Sequence, residues 1–131
     1  MAIKKIDHIG IATRDIDCVL SLYRDLLGIE VADTVESQAM NMAFLPVGET
    51  QIELLEPVDP ESAIGKYIER RGEGIHHICF EVDDIEATLA HLEGKGVRLI
   101  NETPITSVDG KKLAFIHPES THGVLVELYQ L

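Results

Sequence analysis

Apolar and polar residues alternate through residues 5–12, which is typical of a β-strand with two different faces. One face carries Ile9 and Ile11, and the other carries His8, Gly10 and Ala12. Apolar residues then recur at helical spacing, and this stripe predicts a helix that Asp15 caps and Gly28 ends. The stripe consists of Ile16, Val19, Leu20, Tyr23 and Leu27.

Three more strands are predicted in this half of the chain, with a tight turn at residues 47–50 between the second and the third. They are Ile29–Val35, Met40–Val47 and Thr50–Leu55. The order is therefore one strand, one helix and three strands (βαβββ). A short amphipathic connecting helix is predicted to begin with Asp59 as cap and Pro60 in its first turn, and to end near Gly72. Its apolar positions are Ile64, Tyr67 and Ile68.

The remaining residues repeat the same order of elements. A strand at Ile75–Val82 leads into a helix over Asp84–Glu93, which the glycine-rich residues 94–96 end. The inward positions of this helix are Ile85, Leu89 and Leu92. The last three strands are predicted at Val97–Asn101, Leu113–His117 and Val124–Tyr129.

The two halves of the chain are diverged copies of one unit. When the copies are aligned, His8 matches His77 and Glu53 matches Glu127, with nearly the same spacing along the chain for both pairs. Because an internal repeat outranks most other sequence signals, we predict an α+β protein of two pseudo-symmetric βαβββ modules. We expect one domain over residues 1–131, with module 1 at about 3–57, the connecting helix at about 58–73 and module 2 at about 74–131.

One histidine and one glutamate of each copy lie on the strand face opposite the one expected to pack on helices. These residues are His8, Glu53, His77 and Glu127. Four such side chains are costly to bury unpaired, whereas a divalent cation uses each of their lone pairs. A single histidine or glutamate in a strand is usually structural, but matching pairs in two repeats favour a metal site. We therefore predict a curved mixed sheet around one metal ion.

Other candidate ligands have no counterpart in the repeat. Glu81 and Gln51 lie on the ligand face but are unmatched in the other copy, and His76 alternates to the helix side. His91, His117 and His122 lie in a helix or beside a loop. Two nitrogens and two carboxylate oxygens suit Co²⁺, Mn²⁺, Ni²⁺, Fe²⁺ or Zn²⁺. Such a set leaves up to two octahedral positions for a substrate with two oxygens, and Lewis-acid activation of a carbonyl is then the natural chemistry.

Composition limits the partners of the protein. The net charge is −12 over 131 residues, which argues against nucleic acid and against anionic membrane surfaces. No apolar run approaches the roughly 18 residues of a membrane span, and we expect no secretory signal. Cys18 and Cys79 are isolated thiols, so we expect a reduced, cytoplasmic protein.

With these residues in place, the sequence resembles the vicinal-oxygen-chelate superfamily of glyoxalases, bleomycin-resistance proteins and dioxygenases. More narrowly, it resembles the methylmalonyl-CoA epimerases of that superfamily, and the likeness covers nearly the whole chain. The segments that carry it are 6–12 (IDHIGIA), 53–57 (ELLEP), 72–78 (GEGIHHI) with 82–84 (VDD), 115–118 (FIHP) and 122–128 (HGVLVEL). The doubled histidine and the last two segments are the most specific to the epimerases.

The resemblance implies an isomerase that interconverts (2R)- and (2S)-methylmalonyl-CoA through an enolate, as part of propionate metabolism. It also implies a homodimer and a metal ion, Co²⁺ first, with Mn²⁺, Ni²⁺ or Zn²⁺ as alternatives. The ligands would be His8, Glu53, His77 and Glu127. Glu127 would also be one of two acid/base groups, since epimerisation needs one such group for each face of the C2 carbon.

The second acid/base group is where this sequence departs from its relatives. Some of them carry a glutamate in the second strand of module 1, but residues 38–43 contain no carboxylate and Glu36 lies short of that position. Lys112 and Ser120 are predicted as polar contacts to the acyl-CoA substrate. The loop from Pro118 to Gly123 is expected to shape the substrate pocket.

Three other functions stay open at this point. A glyoxalase I-type lactoylglutathione lyase would use the same metal geometry, although the motifs around His77 and Glu127 favour the epimerase. A ring-cleaving iron oxygenase fits two carboxylate ligands less well. A non-catalytic small-molecule-binding member of the superfamily typically lines its cavity with aromatic residues, which make up only 5% of this chain.

Overall fold

The computed structural model of the protein describes residues 2–107 and 109–131. These residues form an α+β structure that repeats the βαβββ order, as predicted. The strands are β1 Ile3–Ala12, β2 Asp33–Glu36, β3 Met40–Val47, β4 Thr50–Pro57, β5 Gly74–Val82, β6 Ile105–Thr106, β7 Lys112–Ile116 and β8 Val126–Gln130. The helices are α1 Ile16–Leu20, which a π-helical segment Ser21–Leu26 extends, α2 Ala63–Arg71 and α3 Ile85–Gly94; a 3₁₀ turn spans Pro118–Ser120.

The chain divides into two compact units. The first unit is His8–His76, and the second unit joins the residues up to Asp7 with His77–Leu131. The connecting helix α2 therefore belongs to the first unit, and β1 contributes residues to both. The expectation that residues 1–131 form one domain stays a prediction. No helix in the described part of the chain is long and apolar enough to cross a lipid bilayer.

Four strands of the first unit lie in the order β2-β3-β4-β1, with β1 parallel to β4 and the other neighbours antiparallel. Helix α1 packs on one face of these strands through a core of Leu20, Ala43, Leu45 and Leu54, against which Ile11 and Ile52 also pack. Helix α2 contributes to a second core of Ala12, Leu55, Ile64 and Ile68. Because neighbouring strand residues alternate in direction, the two cores lie on opposite faces of the strands.

The second unit repeats this arrangement with the strand order β5-β8-β7-β6, in which β5 runs parallel to β8. Helix α3 packs on one face through a core of Val82, Ile85, Leu89, Ala114, Ile116 and Leu128, and Phe80, Leu92 and Val126 pack against it. The predicted inward positions of α3 are confirmed. The last strand begins two residues later than predicted, because Val124 lies before β8 and is 43% exposed.

The helix caps follow the repeat as well. The Asp15 carboxylate accepts hydrogen bonds from the backbone N–H groups of Asp17 and Cys18, and that of Asp84 accepts one from Ala87. Asp15 therefore caps α1 as predicted, and Asp84, predicted as the first residue of its helix, is the cap of α3. Gly28 follows the first helical stretch with a φ of 73°, although Leu27 is 60% exposed and lies outside the buried stripe.

The predicted cap of the connecting helix was wrong. Ser62 caps α2, because its hydroxyl accepts the backbone N–H of Gly65. The Asp59 carboxylate instead accepts the N–H of Glu61 and forms a turn before the helix. The helix ends at Gly72, whose φ of 78° needs a residue without a side chain.

Two strand predictions were wrong. In both segments apolar side chains pack against the core, but the backbone does not pair with a neighbouring strand along the whole segment. Of Ile29–Val35, only the part from Asp33 onward is a strand; Ile29 and Val31 pack against the first core. Val97–Asn101 forms a single bridge, Leu99 with Ile116. The side-chain oxygen of Asn101 accepts the backbone N–H of Phe115 at 2.9 Å. This N–H is therefore not available to pair with a neighbouring strand. The short β6 pairs with β7 instead.

Candidate metal centre

The first unit brings one predicted ligand pair together. His8 of β1 and Glu53 of β4 lie on adjacent parallel strands, and His8 Nδ1 is 3.0 Å from Glu53 Oε2. In the strand register the residue directly opposite Glu53 is Gly10. Because Gly10 has no side chain, the Glu53 carboxylate can extend diagonally toward the imidazole. Only 8% of the His8 side chain and 13% of the Glu53 side chain are exposed.

The second unit repeats this pair. His77 Nε2 of β5 is 3.3 Å from Glu127 Oε1 of β8, and both side chains are buried. Cys79, small and buried, lies opposite Glu127 on one side, and Phe115 lies opposite it on the other. The Phe115 ring meets the His77 ring edge-on, with 6.3 Å between their centroids. Phe44 lies opposite Glu53 in the first unit, so the repeat also keeps an aromatic residue beside each carboxylate.

Each pair has the geometry of two neighbouring ligands of one divalent ion. Ligand atoms at about 2.1 Å from a metal and at right angles to each other are about 3 Å apart. The nitrogen–oxygen distances of 3.0 and 3.3 Å agree with that separation. Imidazole nitrogen and carboxylate oxygen are donors that cobalt, nickel, manganese and zinc accept. Each unit therefore carries one candidate metal-binding pair.

The other histidines have different surroundings. His76 alternates away from the ligand face, as predicted, and its ring meets Tyr67 of α2 edge-on at 4.7 Å. His91 is exposed on α3. His117 Nδ1 accepts the backbone N–H of Glu119 at 3.0 Å and so caps the 3₁₀ turn. His122 is exposed in the following turn, with a φ of 59°.

The two predicted substrate contacts each have a protein partner. Lys112 Nζ lies 3.0 Å from Glu86 Oε1 of α3. Lys112 shares its strand face with Ala114 and Ile116, which is the face that packs on α3. Ser120 Oγ accepts the backbone N–H of Arg98 at 2.8 Å. A substrate-binding role for these residues stays a prediction.

One polar contact near the ligand face of the second unit was not predicted. Lys111 Nζ lies 5.6 Å from the centroid of the Tyr129 ring. The hydrogen bond between the two side chains raises the pKa of Lys111, and desolvation raises the pKa of Tyr129. The available signal in the sequence was that Tyr129 follows Glu127 by two residues in a strand and therefore shares its face.

Comparison with known proteins places this arrangement in a family. Residues 7–115 match the family model of the glyoxalase/bleomycin resistance protein/dioxygenase superfamily. The mitochondrial methylmalonyl-CoA epimerase of Dictyostelium discoideum is 37% identical over 131 residues, which cover 98% of this chain and 79% of that protein. The ethylmalonyl-CoA/methylmalonyl-CoA epimerase of Cereibacter sphaeroides is 35% identical over 133 residues, covering 98% of this chain and 99% of that protein.

A solved structure extends the likeness to three dimensions. It is a variant of Streptomyces coelicolor methylmalonyl-CoA epimerase in complex with 2-nitronate-propionyl-CoA. Its TM-score is 0.87 at 38% sequence identity, and the match covers 98% of this chain and 95% of that chain. The repeated βαβββ order, the matched histidine–glutamate pairs and these similarities lead to one assignment. The chain belongs to the glyoxalase/bleomycin resistance protein/dioxygenase superfamily.

Proposed function

We propose that the protein is a methylmalonyl-CoA epimerase, an isomerase that interconverts the (2R) and (2S) forms of this acyl-CoA. The observation that carries the proposal is the buried histidine–glutamate pair present in each unit. It occurs in a chain whose relatives, matched over nearly its whole length, are named as epimerases of this substrate. The glyoxalase I alternative is less favoured, because those relatives are epimerases.

We propose further that His8, Glu53, His77 and Glu127 bind one divalent metal ion together. The duplication supports this, since equivalent pairs from two copies of a module give a balanced set of two imidazoles and two carboxylates. Two carboxylates neutralise the charge of a divalent cation, and the set leaves room for two substrate oxygens. When bound, the ion supplies Lewis-acid stabilisation of the negative charge that develops on the substrate. Co²⁺ is our first choice, with Mn²⁺, Ni²⁺ or Zn²⁺ as alternatives.

The side chains of the site also prepare the proton transfer. The C2 carbon of methylmalonyl-CoA lies between a carboxylate and a thioester, which makes its proton removable. Glu127 is proposed to take or return this proton on one face of C2. His77, held 3.3 Å away and itself packed against Phe115, orients the Glu127 carboxylate. Burial of these groups excludes bulk water, which strengthens electrostatic interactions at the reacting atoms.

The remaining parts of the proposal follow from the resemblance. The substrate is an acyl-CoA, with Lys112 and Ser120 as candidate polar contacts. The enzyme is proposed to act as a cytoplasmic homodimer in propionate metabolism.

Proton exchange tests the proposed function directly. The metal-loaded protein is incubated with methylmalonyl-CoA in D₂O, and deuterium at C2 is followed by NMR. The wild type is expected to incorporate deuterium and to invert C2. Glu127→Gln is expected to lose both metal binding and exchange, whereas Glu30→Gln, which changes an exposed glutamate, is expected to keep both.

Three results would contradict the proposal. Absence of exchange in metal-loaded wild type would exclude the epimerase, and retained exchange in Glu127→Gln would show that the site is placed wrongly. Isomerisation of the methylglyoxal–glutathione adduct without activity on methylmalonyl-CoA would identify a glyoxalase instead.

A further inference from the structure

Glu81 is a buried carboxylate of the second unit that lies outside the metal-binding pair. It follows His77 by four residues in β5, and only 5% of its surface is exposed. Side chains alternate along a strand, so His77, Cys79 and Glu81 share one face. Phe80 and Val82 point to the other face, where they pack with α3. Glu81 therefore lies on the ligand face, beyond the metal pair.

The Glu81 carboxylate has no hydrogen bond or ion pair with any group in residues 2–107 and 109–131. Within the same residues, every side-chain nitrogen or oxygen that is fully shielded from solvent has a partner. The Glu81 oxygens must therefore retain some solvent-accessible surface although the rest of the residue is buried. A carboxylate held in this way is costly, unless a bound ligand makes use of it.

The nearest polar side chain on the adjacent strand is already engaged. Tyr129 lies directly opposite Glu81 in the register of β5 and β8. The Lys111 Nζ lies 5.6 Å from the centre of the Tyr129 ring and 3.3 Å from Asp109 Oδ2. The positive charge next to Tyr129 is therefore taken up by Asp109 rather than by Glu81.

The repeat shows that this polar row is specific to the second unit. Ala12 corresponds to Glu81 by the same offset that relates His8 to His77, and Leu55 corresponds to Tyr129 by the offset between the two ligand glutamates. Both Ala12 and Leu55 belong to the apolar core beneath α2. The first unit thus has an apolar row at this level, covered by α2, and the polar residues Glu81 and Tyr129 are a difference of the second unit.

Glu36 and Glu56, two other carboxylates of the first-unit strands, are unsuitable as acid/base groups for the same substrate. Glu36 lies in β2 and is exposed. Glu56 shares its strand face with Leu54, the face on which α1 packs. Its two oxygens accept the backbone N–H of Ile16 at 2.7 Å and the side-chain amide of Asn41 at 2.9 Å. Glu56 is therefore committed to holding the structure together.

We propose that Glu81 is the second acid/base residue of the epimerisation and serves the face of C2 opposite to Glu127. The inference rests on the proposed function. Glu127 lies opposite Cys79, two residues before Glu81. Strand spacing and rise place the Cα atoms of the two glutamates about 8 Å apart on one face. A carbon held between their carboxyl groups presents a different face to each of them.

The proton balance is closed by these two residues. In one direction the Glu81 carboxylate takes the C2 proton and becomes a carboxylic acid, and the electron pair of the C–H bond delocalises into the thioester as an enolate. Glu127, which starts this direction as the carboxylic acid, gives its proton to the opposite face of C2 and becomes a carboxylate, and the new C–H bond has the inverted configuration. The reverse reaction exchanges the two roles, and proton exchange with water returns both groups to their starting states.

The test separates proton exchange from inversion. Each pure epimer of methylmalonyl-CoA is incubated in D₂O with metal-loaded wild type or Glu81→Gln, and C2 deuteration and configuration are followed separately. The rate at which Glu81→Gln inverts the C2 configuration is expected to fall at least about 100-fold, which is the usual effect of losing an acid/base group. For one of the two epimers, Glu81→Gln is expected still to exchange the C2 proton for deuterium through Glu127, without a change of configuration at C2. Its affinity for Co²⁺ is expected to stay within about two-fold of wild type.

Control variants decide the remaining outcomes. Glu93→Gln, which changes an exposed residue of α3, is expected to behave as wild type. Glu81→Asp keeps a carboxylate and is expected to recover part of the inversion, which also provides a test should Glu81→Gln fold poorly. Inversion by Glu81→Gln within about three-fold of wild type, or loss of Co²⁺ binding together with all exchange, would overturn the proposal. Wild type that shows no exchange at all would instead refute the proposed function.

Discussion

Ile16 donates its backbone N–H to the Glu56 carboxylate at 2.7 Å, so the end of β4 closes the start of helix α1. The second unit repeats this contact between Ile85 and Gln130, also at 2.7 Å. The spacing from Glu56 to Gln130 along the chain equals that between Glu53 and Glu127, the two proposed ligands. In each unit the strand that carries a proposed ligand glutamate is therefore tied, three residues later, to an otherwise unsatisfied amide of the helix.

The first prediction concerns the strength of these two contacts. Glu56→Ala is expected to destabilise the protein by about 2 kcal/mol and Gln130→Ala by about 1 kcal/mol, because hydrogen bonds to charged groups are stronger. Loss of Glu56 also leaves the Asn41 amide without its acceptor. Urea unfolding measures both values, with Glu30→Ala at an exposed position as control. Equal losses for the two variants would show that the charge of Glu56 is unimportant.

The ligand pairs were predictable because two periodicities coincide in the sequence. Alternation along β1 and β5 assigns His8 and His77 to one face, and the repeat offset singles out Glu53 and Glu127 as their partners. The structure places the two side chains of each pair 3.0 and 3.3 Å apart, and their binding of a metal ion stays a prediction. Repetition was the deciding signal, since a single strand histidine does not reveal its environment.

Alternation and the internal repeat did not predict the structure where a side chain takes the place of a backbone partner. Asn101 occupies the amide of Phe115 with its own side chain, so an apolar stretch that reads as a strand makes one bridge only. The repeat does not single out Glu81, because the other copy has no counterpart. Its burial, with only 5% of its surface exposed, is a property of the fold that sequence alternation does not report.

A second prediction contrasts two helical glycines. A Cβ atom added at Gly65 in α2 would lie 2.5 Å from the carbonyl oxygen of Pro60, so the preceding turn would have to move. Gly65→Ala is expected to destabilise the protein by about 1–3 kcal/mol. Gly94, at the end of α3, has no atom within 4 Å of an added Cβ. Gly94→Ala is expected to stabilise the protein by up to about 1 kcal/mol, and thermal unfolding should give opposite signs for the two variants.

A third prediction concerns the reactivity of Cys18. Its thiol donates to the Asp15 carboxylate at 3.1 Å, and this hydrogen bond with the nearby negative charge raises the pKa of Cys18. A raised pKa lowers the thiolate fraction near pH 8, and the thiolate is the reactive form. Asp15→Asn removes the charge, so it is expected to speed alkylation of Cys18 by iodoacetamide several-fold.

Peptide mapping by mass spectrometry distinguishes Cys18 from Cys79, which is fully buried and is expected to stay unmodified in the folded protein. An unchanged alkylation rate in Asp15→Asn would mean that the carboxylate does not control the thiol.

The last prediction links metal binding to stability. A ligand that binds only the folded protein at 100 times its dissociation constant adds about 2.7 kcal/mol to the free energy of unfolding, which for a domain of this size raises Tm by roughly 5–10 °C. Wild type freed of metal by a chelator and then given Co²⁺ is expected to show this rise. His8→Ala and His77→Ala should each lose it, although they change different units, because each removes one ligand of the proposed shared ion. His91→Ala changes an exposed histidine of α3 and should keep the full rise. If each ligand variant instead retained about half of the stabilisation, the two pairs would be independent sites, and the shared metal centre would have to be abandoned.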